Sequence, residues 1–307
     1  MTGQSSNTPF CAAIDWGTTN LRIWLLDRAG TVLGERVSGE GMRACMPDRF
    51  EAVMESHLEA LGAPSALSVI VAGMAGARGG WREAPYLAAP VGLDALHEGA
   101  VAVPHPTRDV RILPGICQRA PGREDVMRGE ETQLAGAVAQ GLSDGLACLP
   151  GTHSKWAAIE AGRLVSFTPF MPGELYAVLG GHTILKDTLG EGGFEPADPA
   201  FRCGVEDMLG DHAGLTGKLF SLRAAGLLNG AAAPNPRARL SGLLIGAEIS
   251  AARDAHGTRH DVGLVATGIQ AELYRTALDL AGFRCHVLDG GGLVQRGLLD
   301  SARALWT

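Results

Sequence analysis

No uninterrupted apolar run of about 18 residues occurs in this 307-residue chain, so no membrane-spanning helix is expected. Charge is sparse, at 19% of residues, and the net balance of −7 contains no block of like charges. Apart from any local basic patch, that argues against non-specific binding to nucleic acid or to an anionic membrane. The six cysteines, Cys11, Cys45, Cys117, Cys148, Cys203 and Cys285, are scattered and form no C-x-x-C pair. With no H-E-x-x-H zinc motif either, they read as reduced thiols of a cytoplasmic protein. The opening MTGQSSNTPF lacks the charged-then-apolar plan of a secretory leader. A P-loop is missing too. The Gly217-Lys218 pair is followed by Leu219 and has His212 where the first P-loop glycine belongs. No G-x-S-x-G elbow occurs.

What is present is ample apolar material, 46% of residues, enough for one large domain or two medium ones. Strand-like runs fall near 12–16, 21–27, 31–37, 67–72, 110–113, 146–150, 156–160, 163–168, 262–266 and 284–288. Several are nearly continuous in apolar residues, as in sheets covered on both faces. Helix-like runs fall near 49–61, 130–141, 174–186, 205–227, 240–256, 269–282 and 292–305. The mixture predicts an α/β fold. Glycine clusters at 73–80, 190–193 and 290–292 mark backbone that turns tightly or approaches a ligand. The stretch 231–238 reads as a surface loop before a helix.

One internal similarity organises the chain. Residues 12–30 run strand, Gly17-Thr18, polar pair, strand; residues 146–166 run strand, Gly151-Thr152, polar pair, strand. Two similar halves imply two domains facing each other, with the two turns on either side of a cleft. A tight turn of Gly17, Thr18, Thr19 and Asn20 offers several N–H groups and hydroxyls at once, which suits phosphate oxygens. Gly151, Thr152, His153 and Ser154 do the same in the second half. Asp15, just before the first turn, is placed to hold a hydrated Mg²⁺, and Arg22 or Lys155 to add charge to a transferring phosphoryl group. The bland reading of each turn is an ordinary hairpin, with Asp15 making a structural Asx turn.

Further along, 262–278 is a strand, a Thr-Gly turn and a helix, and 285–299 is a strand, an Asp-Gly-Gly-Gly loop and a helix. MRGEETQLAG, 127–136, reads as a helix start, where the dipole favours ionised Glu130 and Glu131; taken alone these are ordinary N-terminal helix acids. The run 69–87 is not a dinucleotide turn, because Gly79, Gly80 and Pro85 forbid the immediate helix that such a site needs.

In this order the segments 12–27, 128–141, 147–160, 262–273 and 288–302 resemble the five signature motifs of the actin, hexokinase and heat-shock-chaperone ATPase superfamily. These are a first phosphate hairpin, a first interdomain helix, a second phosphate hairpin, an adenosine motif and a second interdomain helix. Within it, AIDWGTTNLRIWL, VAGMAGARGGWREAPYL, LPGICQ, VMRGEETQLAGA, LPGTHSKW, MPGELYAVL and LSGLLIGAEI look like the 2-dehydro-3-deoxygalactonokinase family, sugar-acid kinases of galactonate breakdown. The second hairpin departs from the superfamily pattern, with Pro150 where a carboxylate often sits.

The resemblance implies a two-lobed, ribonuclease-H-like actin/hexokinase-type fold with an interdomain cleft. One lobe would comprise 1–142 plus 293–307, the other 143–292. It implies ATP and Mg²⁺ as cofactors, and phosphoryl transfer to the C6 hydroxyl of 2-dehydro-3-deoxy-D-galactonate. Glu130 is the favoured general base, with Glu131 as the alternative or as a partner of metal-bound water. Lys155 would neutralise charge on the γ-phosphate or the substrate carboxylate. Gly268 and Gly291 would lie near adenine and ribose. The run 69–87 reads as a substrate loop; Arg78, Arg82 and Arg128 are candidates to grip the sugar-acid carboxylate, and Trp16 is a further expected substrate contact. The expected partners are small molecules, with no nucleic acid or membrane and a possible homodimer. The rival readings are an exopolyphosphatase-like phosphohydrolase of the same fold and a non-catalytic sugar-acid-binding regulator. The galacto and gluco epimers of the substrate are not separated by these motifs.

Overall fold

A computed structural model describes residues 8–230, 233–257, 259 and 261–307. The chain divides into two compact units: residues 1–143, 160–166 and 290–307, and residues 144–159 and 167–289.

The first unit opens with an antiparallel meander, β1 (Cys11–Trp16), β2 (Leu21–Leu26) and β3 (Val32–Ser38), followed by α1 (Met42–Cys45) and α2 (Phe50–Ala60). β4 (Val69–Gly73) then pairs parallel to β1, placing Asp15 beside Ala72 and Trp16 beside Gly73. Short strands follow: β5 (Tyr86–Ala88), β6 (Val91–Gly92), β7 (Val101–Val103), β8 (Val110–Ile112), β9 (Gly115–Gln118) and β10 (Asp125–Met127). The main sheet has the order β3-β2-β1-β4-β8-β7, and β10-β9-β5 form a second small sheet. Then come α3 (Glu130–Ala139) and, from the far end of the chain, the helix Gly290–Leu305.

β1 is apolar at nearly every position because both of its faces are covered. Ala12, Ile14 and Trp16 join Phe50, Val53, Met54 and Leu58 of α2. Cys11 and Ala13 join Val294, Leu298, Leu299 and Ala302 of the C-terminal helix. A strand buried on two sides cannot alternate apolar with polar.

The second unit repeats the meander with β11 (Gly145–Leu149), β12 (Ser154–Glu160) and β13 (Arg163–Phe170). The tip 160–166 groups with the first unit, where Arg163 and Leu164 pair with Gly92 and Val91. Helices α4 (Pro172–His182), α5 (Lys186–Leu189), α6 (Pro199–Gly210), α7 (Leu215–Asn229) and α8 (Pro236–His256) follow. β14 (Asp261–Val265), α9 (Gly268–Leu280) and β15 (Arg284–Leu288) complete the unit. β14 lies parallel to β11, as β4 does to β1. The core packs Leu146, Cys148 and Trp156 against Phe201 and Val205 of α6, Ile249 of α8 and Tyr274 of α9.

The single helix expected over 205–227 is two helices, broken at Asp211 and a short turn through Gly214. Two helices also begin earlier than expected. Asp198 accepts the Ala200 N–H ahead of Pro199, and Asn235 accepts the Arg237 and Ala238 N–H groups ahead of Pro236. Both are cap-then-proline starts. Of the loop expected over 231–238, residues 231 and 232 lie outside the described residues, and 236–238 are already helical.

Candidate active site

In the first unit the chain must reverse between Trp16 and Leu21, and it does so in four residues closed by the Gly17 N–H on the Asn20 carbonyl at 2.9 Å. The carbonyls of Gly17 and Thr18 accept the N–H groups of Met42 and Arg43 at 2.9 and 3.1 Å. A Cβ on Gly41 would stand 2.4 Å from the Thr19 carbonyl carbon, so only glycine lets this clamp close. The N–H groups of Thr18, Thr19 and Asn20 meet no acceptor among the described residues. Thr19 and Asn20 are exposed. Three unengaged amides on one tip are the kind of donor set that suits an anion.

Asp15, next to last in β1, lies opposite Arg22. Burial raises its carboxyl above the usual range, and the Arg22 charge opposes this. It sits at the carboxyl ends of the parallel pair β1 and β4, where open α/β sheets bind ligands. Gly73 ends β4 with φ of +89°, and a side chain there would strike the Trp16 carbonyl at 2.7 Å and approach Asp15 Oδ1 at 3.5 Å. From the other side, the Cβ direction of Gly129 points to the Gly73 Cα at 3.7 Å. The bare backbone of Gly73 thus brings Asp15 together with the start of α3, which lies far along the chain.

The two glutamates at that start are not equivalent. Glu131 is enclosed, 1% exposed, and its carboxylate takes the Gly129 N–H at 2.7 and 2.9 Å. Burial, with the nearby Glu130 charge, pushes it up to about 8. It is a helix-start fastener that holds a proton at neutral pH. Glu130 is half-buried and accepts the Arg128 N–H at 3.1 Å. It is the acid of the pair that a ligand can reach.

The loop after Gly73 is anchored by Trp81, which stacks on Phe50 at 6.0 Å and meets Trp16 edge-on at 5.8 Å. Trp16 itself corrects the expectation of a substrate contact. It is fully enclosed, packs on Phe50 at 5.2 Å and donates Nε1–H to the Glu40 carbonyl at 3.0 Å, so its ring has no open face. The three arginines separate. Arg78 and Arg82 are exposed, and neither side chain has a partner among the described residues. Arg128 lies over the Tyr86 ring at 4.4 Å and donates to the Ala84 carbonyl at 2.8 Å, with its Nε and Nη1 enclosed. It braces the loop from beneath.

The second unit rebuilds the clamp. The Glu174 N–H reaches the Thr152 carbonyl at 3.1 Å, and a Cβ on Gly173 would stand 2.6 Å from the Gly151 carbonyl oxygen. The N–H groups of Gly151, Thr152 and His153 meet no acceptor among the described residues, and His153 pairs through its ring with Glu174. Gly17 and Gly151 occupy matching places, each with its Cβ direction 3.2 Å from a carbonyl, that of Asn20 or of His153. By that match the residue in the place of Asp15 is Leu149, and Pro150 stands in the place of Trp16. Two further expectations need correcting. Ser154 is strand, not turn: it is fully enclosed and gives its hydroxyl to Glu248 at 2.7 Å. Lys155 also lies within β12, 7% exposed, because both faces of that strand are covered.

Beside this turn opens a mainly apolar pocket of about 460 Å³, lined by Gly151, Gly173, Tyr176, Ile269, Leu273 and Tyr274, with Gln270 and Ser241 as polar groups. Gly268, with φ of +57°, starts α9 at its edge. Gly291 lies in the first turn of the C-terminal helix, in the first unit. The two clamps and the buried acid Glu248 escaped sequence reasoning. The Pro172-Gly173-Glu174 start was visible in MPGELYAVL, and Glu248 in LSGLLIGAEI, but only the fold shows what they touch.

The family model described as 2-keto-3-deoxy-galactonokinase matches residues 15–301. The chain belongs to that family. It is 44% identical, over 97% of its length and 98% of the relative's, to a probable 2-dehydro-3-deoxygalactonokinase of Rhizobium meliloti (strain 1021). It is 33% identical, over 95% and 97%, to the 2-dehydro-3-deoxygalactonokinase of Escherichia coli (strain K12). The crystal structure of a putative 2-dehydro-3-deoxygalactonokinase protein from Sinorhizobium meliloti superposes with a TM-score of 0.94 at 44% identity, covering 97% of this chain and 99% of that one. This member of the 2-keto-3-deoxy-galactonokinase family has a mixed α/β fold of the actin and hexokinase type. Among the described residues, no helix is long and apolar enough to cross a membrane.

Proposed function

We propose that the chain is an ATP-dependent sugar-acid kinase that phosphorylates the C6 hydroxyl of 2-dehydro-3-deoxy-D-galactonate. The observation that carries the chemistry is the meeting, at Gly73, of Asp15 and the Glu130 helix start beside a turn with three unengaged amides. The acceptor is taken from the names of the relatives.

The turn amides of both units bind phosphate oxygens, and the apolar pocket beside Gly151 takes the flat base. Glu130 accepts the proton of the C6 hydroxyl as its oxygen bonds to the γ-phosphorus and the bond to the β–γ bridging oxygen breaks, releasing ADP. Arg78 and Arg82 take the sugar-acid carboxylate, for which a guanidinium fork is the fitting group. Asp15 suits Mg²⁺: burial makes its negative charge costly with only Arg22 in opposition, so a neighbouring cation is favoured. Among the described residues no three His, Cys, Asp or Glu side chains gather to hold a metal by themselves. This agrees with an ion held by one carboxylate, phosphate oxygens and water. When bound, Mg²⁺ neutralises the charge that develops on the transferred group. Six thiols without a disulfide accord with a cytoplasmic reaction.

The test is ADP formation from ATP and Mg²⁺, with the galacto acid, its gluco epimer and no acceptor in parallel. Glu130→Gln is expected to lower kcat by about 10²- to 10⁴-fold while nucleotide binding survives. Phosphate release that ignores the acceptor would make the chain a hydrolase.

A further inference from the structure

Beneath the second phosphate turn lies a carboxylate that the proposed reaction does not use. Glu248, in the middle of α8, is 3% exposed in a stretch of small and apolar residues. Its Oε1 accepts the Ser154 hydroxyl at 2.7 Å and the Trp156 indole N–H at 2.8 Å, and its Oε2 accepts the Tyr274 hydroxyl at 2.7 Å. These donors come from two other elements, β12 and α9. Ser154 immediately follows the tip residue His153, and Tyr274 is a wall of the apolar pocket. Apolar residues of the same shape would fill this space without a buried charge, and such replacements are often no less stable. What three directed hydrogen bonds add is fixed geometry: the tip that carries the unengaged amides is tied to the pocket wall through one side chain.

We propose that Glu248 is a positioning residue for nucleotide binding, holding the second phosphate turn and the wall of the base pocket at a set separation so that one nucleotide spans both. The inference rests on the kinase reading, in which that pocket takes the base. Glu248 touches no reacting atom; it acts through Ser154 and Tyr274.

The experiment is a double-mutant cycle on the two hydroxyls, Ser154→Ala and Tyr274→Phe, each leaving the carbon framework in place. For the wild type, both single variants and the double variant, the Kd of a non-hydrolysable ATP analogue, the KM for ATP, the KM for the sugar acid and the Tm are measured. Each single variant is expected to weaken analogue binding and raise the ATP KM about three- to tenfold, with the sugar-acid KM unmoved. The double variant should be no worse than the poorer single one, because cutting either end releases the same tie. Glu248→Gln, which retains an acceptor for β12 and a polar contact for Tyr274, is expected to stay nearer the wild type than Glu248→Leu. A fall in Tm with nucleotide affinity unchanged, equal effects on both substrates, or additive losses would overturn the proposal. A wild type that binds no adenine nucleotide would instead sink the kinase reading. A wild type that binds and turns over ATP while the variants match it would sink this inference alone.

Discussion

The two hairpin turns share a construction and differ in chemistry. Each is a glycine-led reversal between antiparallel strands, clamped by a second glycine that opens or precedes a helix, Gly41 for the first and Gly173 for the second. Each leaves its tip amides without acceptors among the described residues. But the first has Asp15 two places before its glycine, where the second has Leu149. The first also has the Glu130 helix start close by within its own unit, whereas the second has an apolar pocket. One backbone frame thus has acid groups beside it in one copy and an apolar hollow in the other. Under the proposed function the backbone of each turn would meet phosphate, and its neighbours would decide which part of the reaction it serves.

The sharpest way to break the comparison is to remove the acid that distinguishes the turns. Asp15→Asn is expected to lower kcat by about 10²- to 10³-fold, while binding of ADP without metal is unchanged. Adding Leu149→Asp should not restore turnover. Retention of more than about a tenth of the wild-type rate by Asp15→Asn would show that the turns are chemically interchangeable.

The next contrast lies in the buried glutamates behind the turns. Three side-chain donors answer the burial of Glu248 and leave it at about 6, whereas Glu131, held mainly by backbone amides and with the Glu130 charge beside it, is pushed to about 8. The folded chain therefore keeps a proton on Glu131 that the unfolded chain releases above its ordinary value near 4.5. Below that pH the two states bind equally at this site and the Glu131 contribution is at its fullest; it falls as pH rises and levels off above about 8. Across that window each pH unit removes up to about 1.4 kcal/mol of stability. Glu131→Gln should flatten that slope and exceed the wild type in Tm at about pH 8.5. Parallel Tm profiles for the two proteins from about pH 5 to that point would refute the assignment.

The smallest expected effect concerns the clamps. Gly41→Ala and Gly173→Ala each force backbone apart and should cost about 1–3 kcal/mol in chemical denaturation. Gly173→Ala, which also disturbs the lining of the apolar pocket, should weaken binding of a metal-free adenine nucleotide more than Gly41→Ala does. Equal losses in the two variants, or none in either, would end the division between an acid turn and a base-side turn.

Much of this was legible because the signals are local. The hairpins around Gly17 and Gly151 follow from apolar runs broken by turn residues, and the Glu130 helix and the Thr267-Gly268 turn from equally short patterns. Illegible parts depend on long-range packing. Ser154 and Lys155 read as turn residues until a strand covered on both faces takes them in. Trp16 looks available until Phe50 and Trp81 close over it. The break after Gly210 was readable from Gly210, Asp211 and Gly214, but the apolar residues on either side of them drew the two helices into one. The starts at Pro199 and Pro236 were readable from their Asp and Asn caps, and periodicity alone placed them late.

The stacking of Trp81 on Phe50 has an optical consequence. Trp16, Trp24 and Trp156 are fully enclosed; Trp306, half-buried, is held by its Nε1–H on Asp109, whereas Trp81, also half-buried, lies in the loop that carries Arg78 and Arg82. Its indole stands where the polarity of its surroundings changes if that loop grips an acid. Under the proposed function Trp81 would report acceptor binding by its emission without a label, and the apolar pocket beside Gly151, with tyrosines but no tryptophan in its lining, would stay silent in that band.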